Sequence, residues 1–301
     1  MKPAPAVWPA LLGLGAQPLD IFCCTNAVNY TVAVKGVLAA APRPAILLVE
    51  TRRFTVRQVP GAWQWRLSVG SLRLLRLLAW VPLGTVHVPH QKVSRRFGPL
   101  MARAAAVAYL DDGLDTLRLQ PRNFTLPVQP AGRVYHTFSD YPSLPPWLDA
   151  MQVQRCCTLA SMVGLSALPP LELGPHEHVF IESPGLEPAA WVRALGLAAD
   201  RVLVLRHPVP FKRGELPGAC QAVVGNTVDT ELTLLAARGR HFYFGETMAF
   251  FFALHSGVAR HNTLWLQLGE AQWAGLHGLD RLQPVSLPGL RGRLGVLRPT
   301  A

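Results

Sequence analysis

The chain has 301 residues, 50% hydrophobic and 16% charged, which excludes an intrinsically disordered protein and is long enough for two ordinary domains. Its 29 basic residues, nearly all arginine, outnumber the 18 acidic residues and give a formal net charge of +11. This charge would favour binding of a phosphate-bearing ligand or of an anionic membrane surface. It is equally explained by the arginine-rich composition that a GC-rich genome produces. Nucleic-acid binding would be indicated by a basic block interleaved with aromatic residues, and the sequence contains no such block.

The N-terminal residues 1–22 contain an apolar stretch that is too short to span a bilayer and too rich in proline for a good signal peptide. We interpret it as the lead-in to the first strand. The five cysteines occur as two adjacent pairs and one single residue, which fits neither a disulfide framework nor a zinc site. We therefore expect reduced core thiols in a cytoplasmic protein.

The first predicted elements alternate between strand and helix. An apolar run ends at Cys24, Thr25 and Asn26 follow as possible helix caps, and helical spacing of apolar residues continues to Ala40. The continuous apolar run at 45–50 is typical of a strand buried on both faces. This alternation predicts a parallel sheet.

The segment 66–81 combines leucines and arginines at helical spacing. It predicts either an amphipathic helix packed on the sheet or a basic face resting on a membrane. Further along, the pattern predicts a strand at 84–90, a helix at 95–107 and a strand at 107–110. The segment 120–150 is rich in proline and polar residues, and we expect a long irregular loop there.

The alternation resumes after residue 175. The predicted elements are strands at 178–183, 201–205, 222–227 and 241–245, with helices at 187–196, at 229–239 and from about Thr247. We therefore divide the chain into a first α/β domain, 1–168, and a second, 169–301. Ligands of parallel sheets bind beyond the carboxyl ends of the strands, so the residues just after strands are the candidate site.

The segment Asp111-Asp112-Gly113 follows one of these strands. The glycine permits a sharp turn, and two adjacent carboxylates perturb each other's pKa, so either could act as a base. The same three residues also make an ordinary turn. A third acid, Asp115, is expected in the first turn of a helix.

In the second half, a predicted strand ends in Arg206-His207-Pro208, and Lys212 and Arg213 follow closely. The proline restricts the backbone of the histidine, and the neighbouring cations suit a phosphate. A structural histidine is the alternative.

Two further places follow strands in the second half. Glu231 lies near the start of a predicted helix, where it stabilises the helix dipole or accepts hydrogen bonds from a ribose. Glu246 and Thr247 begin the next helix, where free N–H groups and a hydroxyl make an anion site, although the Glu246 carboxylate would repel a phosphate.

Taken in order, these features resemble the bacterial sialyltransferases that carry a D/E-D/E-G motif in the N-terminal half and an HP motif in the C-terminal half. In that family the HP motif precedes a helix bearing a glutamate, which Glu231 matches, and then a hydroxyl pair at a helix start, where Glu246-Thr247 falls. The resemblance covers roughly residues 105–255, and more loosely the strand and loop around Thr25 and Asn26.

The resemblance implies a GT-B fold, an α/β architecture of two Rossmann-like domains with parallel sheets facing a cleft. The first domain would bind the acceptor, with Thr25 and Asn26 on the acceptor side, and the second would bind a CMP-activated sugar without a metal or other cofactor. The resemblance makes Asp112 the catalytic base, with Asp111 and Gly113 supporting it. On the donor side, His207 would interact with the departing CMP phosphate. The other donor-binding residues would be Arg206, Pro208, Lys212, Glu231, Glu246 and Thr247.

The resemblance also implies an inverting transfer of sialic acid to a glycan or glycolipid in bacterial surface polysaccharide or lipooligosaccharide synthesis, with the enzyme cytoplasmic and peripheral at the inner membrane. Glu246 departs from the family pattern, and another CMP-linked 2-keto sugar acid, such as Kdo or a pseudaminic-type acid, is therefore an alternative donor. Two other hypotheses stay open: a GT-B glycosyltransferase using a UDP- or GDP-sugar, and a non-catalytic GT-B partner in glycan assembly.

Overall fold

The computed structural model describes residues 18–41, 43, 45–50, 63–66, 82–89, 96–113, 116, 132–141, 144–165, 169–207, 212–224, 227–268, 281–290 and 293–299. Nearly all of the leucine–arginine segment 66–81 lies outside these ranges, so its two interpretations stay predictions. Asp115 and Pro208 also lie outside the described residues.

The first half of the chain forms a sheet of seven parallel strands in the order β3-β2-β1-β4-β5-β6-β7. The strands are β1 (Leu19–Cys24), β2 (Ala45–Val49), β3 (Trp63–Arg66), β4 (Leu83–Pro89), β5 (Ala106–Leu110), β6 (Val134–Phe138) and β7 (Gln152–Cys157). Every residue of β1 and β2 is buried, as expected for strands covered on both faces.

The second half forms another sheet of seven strands, in the order β10-β9-β8-β11-β12-β14-β13. The strands are β8 (His178–Ile181), β9 (Val202–Arg206), β10 (Gln221–Val224), β11 (His241–Phe244), β12 (Thr263–Leu268), β13 (Gln283–Val285) and β14 (Arg293–Leu297). The strands from β8 to β12 are parallel, but β14 runs antiparallel to both of its neighbours. The expectation of an entirely parallel second sheet was therefore wrong.

Both sheets have the same Rossmann-like arrangement. The first strand of each half lies inside its sheet, the next two strands lie on one side of it, and the fourth begins the other side. The chain is therefore an α/β protein with two Rossmann-like sheets, here called the first and second units. The sequence division at 168/169 falls between the last strand of the first sheet and the first strand of the second.

Within the residues that the structure describes, the helices are α1 (Ala27–Thr31), which continues through a π-helical segment (Val32–Val37) into α2 (Leu38–Ala40), then α3 (Gly98–Met101), α4 (Pro188–Leu195), α5 (Thr227–Ala236) and α6 (Met248–His255). Short 3₁₀ segments lie at Pro146–Leu148, Leu159–Leu165, Ala199–Arg201 and Val258–Arg260. Within the described ranges, none of these helices has the length and hydropathy needed to cross a membrane.

Two sequence expectations about the first unit were wrong. The helix expected over 95–107 is only the short α3, because β5 already begins at Ala106. The irregular segment expected over 120–150 contains β6, whose residues Tyr135 to Phe138 are buried. The strand was not predicted because prolines and polar residues on both sides obscure its short run of apolar and β-branched residues in the sequence.

A common hydrophobic core joins the two units. The 3₁₀ segment Leu159–Leu165 contacts α1 of the first unit and both α5 and α6 of the second. One cluster of buried side chains accordingly includes Phe22 of the first sheet and Phe244 of the second. Helix α6 is buried at every position from Ala249 to Leu254, so it has no solvent-facing stripe.

Two buried histidines lie on the face of the first sheet that carries Phe22. The His87 ring stacks on Phe22 with centroids 4.1 Å apart, and His136 lies 5.4 Å from His87. Burial lowers the pKa of both imidazoles, although the Asp20 carboxylate, 4.0 Å from His87 Nε2, opposes this shift at His87. Both rings are therefore held neutral at pH 7.

We expect the two histidines to lower the free energy of unfolding as the pH falls from 7 to 5. Below the unfolded-state pKa of 6.5, the unfolded chain binds more protons than the folded chain, so the contribution of the two histidines is complete above that value and is lost below it. Urea unfolding at both pH values measures the loss. His87→Leu should reduce it, whereas the exposed control His261→Leu should not; an equal loss in His87→Leu would contradict this explanation.

Candidate functional site

The sequence-predicted residues of the first unit lie at the carboxyl ends of β1 and β5. Thr25 and Asn26 follow β1, and Asp111 and Asp112 follow β5. Strand β4 lies between β1 and β5 in the sheet, but the residues that follow β1 and β5 are in contact, because the Asn26 side chain donates a hydrogen bond to Asp112.

Asp111 is fully buried and accepts hydrogen bonds from several donors. One carboxylate oxygen accepts from the Gly113 backbone N–H at 2.7 Å and from the Thr116 hydroxyl at 2.8 Å, and the other accepts from the Thr137 hydroxyl. Burial raises the pKa of Asp111 to about 6, and these hydrogen bonds oppose the rise. The residue fixes the turn and has no exposed surface for a ligand.

Asp112 is held by two asparagine side chains. Its Oδ1 accepts a hydrogen bond of 2.6 Å from the Asn26 amide and one of 3.0 Å from the Asn29 amide. The residue is 7% exposed, against 0% for Asp111, and its other carboxylate oxygen, Oδ2, is buried. The two adjacent aspartates thus differ in role: Asp111 forms the turn, whereas Asp112 is bound to the start of α1.

The sequence around Asn26 explains why these amides are in place. Asn26 is the N-cap of α1 and forms a capping box, in which its side chain accepts from the Asn29 N–H at 3.0 Å and Asn29 Oδ1 accepts from the Asn26 N–H at 3.1 Å. Asn29 Oδ1 also accepts from the Thr25 N–H at 2.9 Å. The side-chain oxygens of Asn26 and Asn29 accept hydrogen bonds from backbone N–H groups at the start of the helix. The amide NH₂ groups of both residues are therefore directed toward Asp112.

Gly113 connects this turn to the second unit. Its φ of +88° is a conformation that favours glycine. A Cβ atom at this position would lie 2.8 Å from Met248 Cγ, so the first residue of α6 packs directly against the turn. The Asp-Asp-Gly motif therefore lies beside the helix start at which Glu246 and Thr247 were predicted to bind an anion.

In the second unit, Glu182 organises the turn that contains Arg206 and His207. Glu182 follows β8 and is 4% exposed. Its carboxylate accepts from Arg206 Nε and Nη2, each at 3.1 Å, from the His207 N–H at 2.8 Å and from the Gly214 N–H at 2.7 Å. Arg206 Nη2 also donates to the Gly214 carbonyl oxygen at 2.8 Å. The guanidinium of Arg206 is thus bound within the protein.

The remaining predicted cations lie close to this turn. Arg213 Nε donates to the His207 carbonyl oxygen at 2.7 Å, whereas Lys212 is exposed. Glu231 lies in α5, in the second turn of the helix, and is fully buried. A ribose would therefore reach this carboxylate only if the residues around it moved.

Gly245, Glu246 and Thr247 join β11 to α6. The Glu246 N–H donates to the Pro184 carbonyl oxygen at 2.9 Å, so this backbone donor is used within the protein. The Thr247 hydroxyl caps α6 by accepting from the Ala249 N–H at 3.3 Å, which leaves its own proton able to donate to an anion.

Sequence reasoning did not single out Asn29 or Glu182. The Asn-x-x-Asn spacing of a capping box could have identified Asn29. Glu182 immediately follows a buried strand, which is the same signal that identified Asp111 and Asp112. Among the described residues, no group of three or more His, Cys, Asp or Glu side chains is arranged to hold a metal ion.

The chain was compared with known proteins. No protein-family model matches it, and neither a curated protein nor a solved structure does. The candidate site is therefore interpreted from its own geometry and from the sequence motifs.

Proposed function

We propose that the chain is an inverting glycosyltransferase of GT-B type that transfers sialic acid or a related 2-keto sugar acid from a CMP donor to a glycan hydroxyl. The observation that carries the proposal is the setting of Asp112, a buried carboxylate held by two amide groups beside the helix start of the second unit. Two Rossmann-like sheets, each with motif residues at its carboxyl edge, support it.

The reaction needs a base for the acceptor and a stabilised leaving group. Asp112 takes the proton of the acceptor hydroxyl as that oxygen bonds to the anomeric carbon, and the bond from this carbon to the CMP phosphate oxygen breaks with inversion. His207 interacts with the phosphate as its charge develops. The net charge of +11 favours the approach of an anionic donor. The proposed setting is the cytoplasmic side of the bacterial inner membrane, during surface polysaccharide or lipooligosaccharide synthesis.

We expect CMP to bind at least about tenfold more tightly than UDP or GDP, because the proposed donor is a CMP-linked sugar acid. Isothermal titration calorimetry with the three nucleotides measures the difference. If UDP or GDP binds tightly and CMP does not bind, the result would favour the hypothesis of a GT-B enzyme that uses a UDP- or GDP-sugar. If none of the three nucleotides binds, only the hypothesis of a non-catalytic partner would remain.

A donor assay then tests turnover. CMP-linked sialic acid, Kdo and pseudaminic-type acids are each incubated with the protein, and CMP release is compared with and without simple galactosides. Release that depends on a galactoside supports transfer. Nucleotide binding without CMP release from any of these donors would favour the non-catalytic hypothesis.

A further inference from the structure

The buried carboxylate of Glu182 is the feature of the second unit that the proposed reaction does not use. It lies between the carboxyl ends of β8 and β9 and accepts hydrogen bonds from the side chain of Arg206 and the backbone of His207 and Gly214. Hydrogen bonds to a buried carboxylate are charge-assisted and are among the stronger ones in proteins. Four of them on one side chain tie together the two ends of the segment between His207 and Gly214.

We infer that Glu182 is a positioning residue for the donor site, where it holds Arg206, His207 and Gly214 in place. The assignment of this region as a donor site rests on the proposed function. The contacts of Glu182 that carry the inference do not depend on the reaction. The Glu182 N–H also donates to the Leu205 carbonyl oxygen at 2.9 Å, so its backbone continues the β8–β9 ladder up to the turn.

The same contacts change the role of Arg206. Its guanidinium donates to both oxygens of Glu182 in a bidentate pair and to the Gly214 carbonyl oxygen, so its charge is offset within the protein. The exposed cation of the segment is Lys212. The Glu182–Arg206 pair therefore fixes the backbone at His207 and Gly214, and attraction of a phosphate falls to other side chains, such as that of Lys212.

The experiment compares Glu182→Gln with the matched control Glu177→Gln. Glu177 lies just before β8, whereas Glu182 lies just after it. Glu177 pairs with Arg201, so the control also removes a carboxylate that pairs with an arginine. Hydrogen–deuterium exchange is measured at the His207 and Gly214 amides. We expect exchange at least about tenfold faster in Glu182→Gln, and unchanged exchange in Glu177→Gln.

Kinetics separate positioning from a loss of folded protein. We expect Glu182→Gln to raise the KM for the CMP donor by about tenfold while the KM for the acceptor is unchanged, because in the proposed reaction His207 interacts with the donor and not with the acceptor. A merely structural role would reduce the amount of active enzyme, which lowers the apparent kcat and leaves both KM values as they are. Such a result would overturn the inference.

A second variant covers the case in which Glu182→Gln does not fold. Arg206→Lys keeps the positive charge but loses the bidentate pair, and it should speed exchange at Gly214. Unchanged exchange at His207 and Gly214 in every folded variant would refute the positioning role. If the wild type binds no CMP, the proposed function fails, but the exchange measurement still decides whether Glu182 positions the turn.

Discussion

Asp112→Asn is expected to lower the rate of transfer by about 10³-fold, since general-base catalysis typically contributes 10²–10⁴. Asparagine keeps an oxygen that can accept the hydrogen bonds of the Asn26 and Asn29 amides, so the turn should be preserved. It cannot accept the proton of the acceptor hydroxyl. The variant should bind CMP with nearly the wild-type affinity, because Asp112 belongs to the first unit.

The measurements are CMP release with donor and acceptor, and CMP titration by calorimetry. Asp149→Asn is the control, because Asp149 is an exposed carboxylate of the same unit at the end of the 3₁₀ segment Pro146–Leu148. It should leave both quantities unchanged. A rate for Asp112→Asn within a few-fold of the wild type would exclude Asp112 as the base.

Asp111→Asn is expected to lower the free energy of unfolding by about 3 kcal/mol at pH 7, because the buried donors that converge on Asp111 would meet an amide group in place of one oxygen. These donors include the Gly113 N–H and the hydroxyls of Thr116 and Thr137. Urea unfolding measures the change. The exposed control Asp149→Asn should stay within about 0.5 kcal/mol of the wild type.

The pH dependence of this difference has a defined sign. The folded-state pKa of Asp111 is about 6, above the ordinary value of 3.8, so the folded chain binds the proton more tightly than the unfolded chain. The contribution of this titration to stability is complete below about pH 4 and is lost as the pH rises through 6. The advantage of the wild type over Asp111→Asn should therefore be about 1 kcal/mol larger at pH 5 than at pH 8.

Subtracting the variant from the wild type cancels the opposite effect of the buried histidines, which both proteins share. A difference that grows with pH would show that Asp111 is ionised more easily in the folded chain than in the unfolded one. It would contradict desolvation as the dominant influence on this carboxyl.

The α/β class and the position of the candidate residues followed from local sequence patterns. Continuous apolar runs marked β1, β2, β8 and β9, because strands of a parallel sheet are buried on both faces. Asp111 and Arg206 were found because they lie at the ends of such runs. The N-cap role of Asn26 is confirmed. It could be predicted because asparagine is among the preferred N-cap residues.

The features that were missed depend on contacts between distant parts of the chain. The role of Glu182 arises from the pairing of β8 with β9, which aligns its carboxylate with the backbone of His207. The antiparallel β14 is specified by its partners on both sides and not by its own pattern. The commitment of Arg206 to an internal ion pair was equally hidden, because the sequence shows a cation and not its neighbour.

The hydrophobic core that includes both Phe22 and Phe244 makes the two units thermodynamically dependent on each other. Unfolding either unit would expose apolar side chains of the other, so the chain should unfold as a single cooperative block. A ligand that binds only the folded second unit would then protect the first unit by the same free energy. Donor binding could in this way keep the turn of Asp112 intact without contacting it.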